Sequence, residues 1–175
     1  MDSSNVLKIL AVFLIGSLAQ IFIFNNLQIS GFINPYAYII AIMAMPFGTT
    51  TPVMIAVSFA QGLAIDIFCN TPGMHAGACV MIGYLRQYIL KLIAQRDAYK
   101  SDMMPSASSY GIAWFLKYSV MMVSVHHVML FFIEQFDTLF FWPTLCRVLL
   151  SILATILFIL AAQFFLPSGG RTSDF

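Results

Sequence analysis

Charged residues are scarce in this sequence of 175 residues: Asp, Glu, Lys and Arg together make up 9% of it, whereas a soluble globular domain carries about 25%. Hydrophobic residues make up 61%, and the mean hydropathy is +0.90. So few charged side chains cannot cover the surface of a water-soluble protein of this length. The composition therefore predicts a polytopic membrane protein.

Other absences exclude whole classes of function. The net charge is +1, and no cluster of Lys and Arg is interleaved with aromatic residues, so we expect no nucleic-acid partner. The three cysteines are too few and too scattered for a disulfide framework, and none forms a Cys-x-x-Cys motif. The His-Glu-x-x-His, Gly-x-Ser-x-Gly and phosphate-loop signatures are also missing. We therefore expect a protein that is not an enzyme and that has neither a cofactor nor a bound metal ion.

Long apolar runs predict an all-α bundle of six transmembrane helices within one integral membrane domain, residues 1–175. The second run is shorter than the roughly 20 residues that a spanning helix needs, so it is short, tilted or re-entrant and five spans are the alternative. The first run continues without a break to Phe24, which favours a membrane helix over a cleaved signal peptide. The runs are Val6–Phe24, Pro35–Phe47, Pro52–Phe68, Gly73–Leu92, Ser109–Ile133 and Phe141–Leu166.

The distribution of positive charge predicts the orientation. The loops Asn25–Asn34 and Cys69–Pro72 contain no charged residue, which is typical of the outer side. Residues 1–5, 95–108 and 167–175 are therefore expected to be cytoplasmic, as are both termini. The positive residues on that side are Lys8, Arg86, Lys91, Arg96, Lys100 and Arg171.

The rise of 1.5 Å per residue along a helix converts sequence position into depth. Asp66 lies about 3 Å from the outer end of the third helix, whereas Arg86 lies about 20 Å from the same side. An ion pair between these two residues is therefore not expected. We expect Arg86, Lys91 and Lys117 to extend towards the inner headgroups instead.

A second group of polar residues shares the depth of Asp66. If these side chains face the interior, they form a polar patch open to the outside, with Glu134 and Arg147 as an ion pair and Asp66 bonded to amide groups at the start of the fourth helix. Asp66 is then either a helix anchor or a contact for a partner or ligand. The candidates for contact with a partner or ligand are Asp66, Asn70, His75, His126, Glu134 and Arg147.

The adjacent His126 and His127 point about 100° apart on a helix, and no third ligand is evident, so packing roles are favoured over a metal site. Small residues also recur at helical spacing, which lets two helices approach closely. The residues expected to pack the third helix against the fourth are Ser58, Gly62, Gly73 and Gly77.

A series of short segments extends from about Asn34 to Arg147, and together they resemble the family of the rod shape-determining protein MreD. Gly-x-x-x-Asp followed by Pro-Gly is the most specific piece, and Met45 stands where the family often has Leu. The segments are Asn34-Pro35-Tyr36, Met45-Pro46-Phe47, Gly62 to Asp66, Asn70 to Ala76, Gly83-Tyr84-Leu85-Arg86, Trp114 to Tyr118 and His126-His127.

The resemblance implies a multi-pass protein of the bacterial inner membrane that belongs to the cell-elongation machinery. Such a protein contacts membrane lipids, binds the bitopic protein MreC and through it is associated with MreB and the elongation peptidoglycan synthase. It helps to maintain rod shape and to direct peptidoglycan synthesis. The resemblance also implies a fold similar to the six-helix substrate-binding components of energy-coupling-factor transporters, whose ligand pocket opens to the outside.

A different function remains open from the residues alone. The chain could be the binding component of a transporter for a vitamin-like or lipid-linked ligand. In that case Asp66, His126, Glu134 and Arg147 would line a closed pocket.

Overall fold

The computed structural model describes residues 3–27, 33–93, 99–135 and 141–165. The predictions for Arg96, for the tail at 167–175 and for most of the loop before residue 99 lie outside these ranges. All the regular secondary structure described is helical, which fits the predicted helical membrane bundle. The helices are α1 Ser3–Phe22, α2 Ile40–Met43, α3 Thr51–Cys69, α4 Met74–Ile93, α5 Ala107–Tyr110, α6 Ile112–Glu134 and α7 Phe141–Phe165, and 3-10 turns occur at Phe24–Asn26 and Ala37–Ile39.

Five of these helices, α1, α3, α4, α6 and α7, are long and apolar enough to cross a membrane. Their outward faces carry large hydrophobic side chains such as Leu14, Phe68 and Leu157. In a soluble protein such a surface would be very unfavourable, whereas in lipid it is the expected one. The second predicted span, Pro35–Phe47, is not a long helix, because only the short turn Ala37–Ile39 and α2 are helical within it.

The helices alternate in direction, so the bundle has two ends. We call the end where α3 finishes and α4 begins the upper end, and the opposite one the lower end. At the upper end, Asn25 Nδ2 donates to Cys69 Sγ at 3.0 Å, which places the end of α1 beside the end of α3. At the other, the amide of Ala107 donates to Gln163 Oε1 at 3.1 Å, which places α5 beside the end of α7.

Residues 33–48 form an internal segment that connects the upper end to the lower end through the middle of the bundle. Tyr38, Ile39 and Ile42 are completely buried. At the lower end, Phe47 stacks on Tyr99 with ring centroids 4.3 Å apart. Extended residues advance about 3.3 Å each, compared with 1.5 Å in a helix, so a run too short to cross as a helix can do so as mixed backbone.

Irregular backbone at membrane depth is tolerated only where protein surrounds it, because lipid cannot bond to its amide and carbonyl groups. Here side chains of four long helices supply these hydrogen bonds. On the amide side, Asn34 N donates to Ser151 Oγ at 3.1 Å and Tyr36 N donates to Thr155 Oγ1 at 3.0 Å. On the carbonyl side, Pro35 O accepts from Gln20 Nε2 at 3.1 Å, Met43 O accepts from the Tyr118 hydroxyl at 3.1 Å, and Met45 O accepts from Arg86 Nη2.

Arg86 is one of these side chains, so the prediction that it extends to the inner headgroups is wrong. Its side chain is 2% exposed, and its Nε donates to the Tyr118 hydroxyl at 2.9 Å. The last carbonyl groups of a helix and those just after it lack helical partners, and the guanidinium group of Arg86 donates to one of them, Met45 O. Lys91 and Lys117, in contrast, are exposed near the lower end.

The contact between α3 and α4 depends on three small residues, namely Ser58, Gly62 and Gly83. A Cβ on Gly62 would overlap the backbone of His75 and Ala76, and a Cβ on Gly83 would overlap the side chain of Ser58. The prediction is wrong for two members of the packing set, Gly73 and Gly77. Gly77 has open space beside it, with Ile133 Cδ1 3.9 Å from a built Cβ, while Gly73 lies in a turn with φ of 83° and nothing within 4 Å. Ser58, Gly62 and Gly83 therefore make the close approach, whereas Gly73 and Gly77 do not.

The two glycines Gly62 and Gly77 provide a matched test of this contact. We expect Gly62→Ala to lower the free energy of unfolding by about 1–3 kcal/mol, because the added methyl group forces two backbones apart. Gly77→Ala should be neutral or stabilising by up to about 1 kcal/mol, because alanine favours the helix and the site is open. Unfolding of both variants in mixed micelles measures the difference, and equal values would contradict the packing described.

Candidate functional site

Asp66 lies one turn before the end of α3 and fixes the turn into α4. Its carboxylate accepts hydrogen bonds from the amides of His75 at 3.0 Å and Ala76 at 2.9 Å. The first amides of a helix have no partner within the helix and carry partial positive charge, so a carboxylate is well suited to them. The hydroxyl of Thr71 also donates to Asp66 at 2.9 Å. The predicted bond between Asp66 and amides at the start of the fourth helix is confirmed.

Asp66 is also paired with the ring of His75. His75 Nδ1 lies 3.0 Å from Asp66 Oδ1, and because an ionised carboxylate only accepts, Nδ1 carries the proton and Nε2 is left as an acceptor. Asp66 is only 3% exposed, so it does not face a partner directly. The turn that it anchors is different, because Asn70, Pro72 and Gly73 are exposed.

The backbone of this turn has a defined shape. Asn70 adopts the left-handed conformation with φ of 55° and ψ of 44°, and its amide donates to the carbonyl of Asp66. Asparagine tolerates this conformation better than most residues. The amide of Thr71 donates to the same carbonyl at 3.2 Å. The exposed turn 70–73 is therefore held by bonds from both the backbone and the side chain of Asp66.

His126 and His127 are both completely buried and lie deeper than the turn. His126 Nε2 lies 2.8 Å from the hydroxyl of Tyr38, and His127 Nε2 lies 3.0 Å from Thr155 Oγ1. Both rings pack against the ring of Tyr36. Among the described residues no group of three His, Cys, Asp or Glu side chains is arranged to hold a metal ion. His126 therefore lies in the core and is not an exposed contact.

A cavity of about 400 Å³ lies at the upper end, between α1, α3, α4, α6 and α7. Three of the six predicted contact residues line it, namely His75, Glu134 and Arg147, whereas Asp66, Asn70 and His126 do not. The lining residues are Gln20, Ile21, Phe24, Asn25, Asn26, Asn34, Tyr36, Phe68, Cys69, Thr71, Met74, His75, Leu130, Glu134 and Arg147.

Arg147 is held in place at the wall of this cavity. Its Nη1 lies 3.4 Å from Glu134 Oε1, which confirms the predicted ion pair. Its guanidinium carbon lies 4.6 Å from the centroid of the Phe131 ring. With the amide of Asn34 oriented to satisfy both of its groups, Arg147 Nη2 donates to Asn34 Oδ1 at 2.8 Å. The side chain is therefore oriented by an acid, an aromatic ring and an amide.

Sequence reasoning missed the amide side chains of the cavity. Gln20, Asn25 and Asn26 follow closely on one another near the end of α1, where the apolar run gives way to polar residues. That cluster is the signal, but amide groups carry no charge, and Asn70 is the only amide among the predicted contact residues. Asn34 belongs to one of the segments that resemble the MreD family, but it is not among the predicted contact residues.

No model of a known protein family matches this chain, and neither a curated protein nor a solved structure does so. The resemblance to MreD therefore stays a prediction, as does the likeness to transporter binding components. The geometry of the site is the evidence on which a function can be argued.

Removing the carboxylate of Asp66 should loosen the start of α4. We expect Asp66→Ala to speed the hydrogen exchange of the amides of His75 and Ala76 at least about fivefold, because both lose their acceptor and each lost bond costs about 1 kcal/mol or more. Exchange measured by mass spectrometry in lipid nanodiscs gives the rates. Glu134→Ala serves as the control, because its carboxylate bonds to neither amide. Unchanged exchange in Asp66→Ala would contradict the anchoring role.

Proposed function

We propose that this chain is a non-enzymatic membrane component of the bacterial cell-elongation machinery, of the MreD type, and that it binds MreC. The observation that carries the proposal is that segments resembling the family meet in one place, around the internal segment. Tyr36 packs against His127 and His75, and Met45 O accepts from Arg86. Residues that are far apart in the sequence but contact the same segment stabilise the same fold. Members of a family that share this fold are therefore expected to share these residues.

The charges support an orientation for the proposed complex. Near the lower end, Lys91, Lys100 and Lys117 carry positive charge. Among the described residues of the upper end, the positive charge of Arg147 is balanced by the negative charge of Glu134. Cytoplasmic ends of membrane proteins are enriched in Lys and Arg. In the proposal the lower end faces the cytoplasm of the cell, and the upper end faces the periplasm, where the main folded part of MreC would lie.

The upper end suits the contact of a folded partner. The exposed turn 70–73 is fixed by the bonds from Asp66, and a fixed turn loses little conformational entropy when it is bound. We infer that MreC contacts this turn and that Asp66 acts through it as a positioning residue. The association with MreB and with the peptidoglycan synthase would then pass through MreC, which leaves this chain without chemistry of its own.

A charge placed on the turn tests this interface. Pro72→Glu should lower the amount of MreC that co-purifies from membranes at least tenfold, which corresponds to about 1.4 kcal/mol, because a buried unpaired charge opposes association. Ser108→Glu is the matched control, since Ser108 is exposed at the lower end. Asp66→Ala should also weaken the complex, by releasing the turn. Full association and full rod shape with both Pro72→Glu and Asp66→Ala would contradict the proposed interface.

Depletion of the protein separates this function from that of a transporter component. Cells that lose a component of the elongation machinery should become round. Cells that instead keep their shape and need a nutrient for growth would contradict the proposal.

A further inference from the structure

We propose that a second cavity, which lies at the lower end and which we call the lower cavity, binds the headgroup of an anionic phospholipid. It lies between Phe47 and Gly48 of the internal segment, the last turns of α4, and residues 99–101. Its volume of about 310 Å³ is within the range of about 300–1,000 Å³ that small-molecule sites occupy. Such binding requires neither MreC nor a particular direction of insertion.

Lys91 supplies an unbalanced positive charge to the lower cavity. It lines the cavity and its side chain is exposed. Both ion pairs among the described residues lie at the upper end, so neither involves Lys91. Asp102 is the only acidic residue described at the lower end, and it does not line the cavity, whereas Lys100 and Lys117 add positive charge at the same end. An anion at the cavity therefore meets a net positive charge.

The polar groups that the lining leaves for a ligand are also donors. Gln87 Oε1 accepts from Thr51 Oγ1 at 3.0 Å, which leaves the NH₂ group of Gln87 to donate. The exposed hydroxyl of Ser101 can donate as well. Thr51 is the first residue of α3, so the partial positive charge of a helix N-terminus lies beside the cavity. Phosphate oxygens accept hydrogen bonds and are negatively charged, so they fit this set of groups.

The position of the lower cavity favours a lipid phosphate over a free one. Lys91 lies two residues before the end of α4, at the level where a spanning helix meets the headgroups. On the same face of α4, Tyr88 is 50% exposed and Leu92 is 75% exposed, and this face is expected to contact lipid. Phe47 and Leu90 make part of the cavity lining apolar. The site therefore combines a cationic group with an apolar surface, as a phospholipid requires.

The hydroxyl of Tyr88 provides a further contact for a lipid. It lies 3.3 Å from the hydroxyl of Tyr84, and one of the two donates to the other, which leaves one proton without an acceptor among the described residues. An unpaired hydroxyl facing lipid is unfavourable. Lys91 Nζ lies 6.0 Å from the centroid of the Tyr88 ring, and Tyr88 is about 4.5 Å nearer the bilayer centre. With the phosphate at Lys91, the ester carbonyls of the glycerol group lie on the side of Tyr88 and can accept this proton.

The test compares two phospholipids that differ only in the headgroup. The chain is purified in a non-ionic detergent until no phospholipid remains bound. Native mass spectrometry then measures the binding of phosphatidylglycerol and of phosphatidylcholine with the same acyl chains, at constant ionic strength. We expect phosphatidylglycerol to bind at least about fivefold more tightly, which is the effect of about one lysine near an anionic headgroup. Inorganic phosphate in excess should not displace it.

Three variants assign this preference to the lower cavity. Lys91→Gln should remove most of it, whereas Lys91→Arg should keep it, because only the first loses the charge. Lys117→Gln is the matched control, since it removes one exposed positive charge at the same end from a residue that does not line the cavity. Ser101→Glu places a carboxylate at the cavity and should also remove the preference. It is the variant that decides if Lys91→Gln does not fold by size-exclusion chromatography.

Each outcome supports or overturns the site. A preference for phosphatidylglycerol that Lys91→Gln or Ser101→Glu removes and Lys117→Gln keeps supports it. Equal affinity of the unaltered chain for both lipids would overturn the proposal, as would displacement of phosphatidylglycerol by inorganic phosphate. Equal losses in Lys91→Gln and Lys117→Gln would show a general attraction to charge at the lower end and would overturn it too.

Discussion

The backbone of the internal segment, residues 33–48, has to be satisfied by protein, because lipid supplies no hydrogen bonds and only part of the segment is helical. Side chains from α1, α4, α6 and α7 do so, and each comes from a different part of the sequence. Because an unpaired amide or carbonyl at this depth costs several kcal/mol, these bonds determine how the four helices are placed. The internal segment is therefore bonded to all four of these helices and holds them together.

The upper end depends on this arrangement. Asn34 and Tyr36, at the top of the segment, form part of the cavity wall and contact α7 from inside. Asn34 also orients Arg147, while Tyr36 packs against His75. The exposed turn 70–73 is in turn fixed by Asp66. A displacement of the segment would therefore change both the cavity and the surface proposed for MreC.

The depth of a polar side chain along its helix and the type of group that it bonds to could be predicted from the sequence. The direction in which a side chain points and the positions where two helices approach closely could not. The rise per residue placed Asp66 with the first amides of α4 and Glu134 with Arg147, and these pairs occur. Arg86 was misjudged because its partner is a backbone carbonyl, which leaves no mark in the sequence. The choice of Gly83 over Gly77 also depends on how α4 is rotated, and spacing alone does not give that rotation.

The most direct test of this account removes one side-chain bond to the internal segment without changing shape. In Tyr118→Phe, Met43 O loses its donor and Arg86 Nε loses its acceptor, so we expect the free energy of unfolding in mixed micelles to fall by about 1–3 kcal/mol. Tyr84→Phe removes an exposed hydroxyl, 3.3 Å from that of Tyr88, and should leave the value nearly unchanged. An equal effect of the two substitutions would contradict the account.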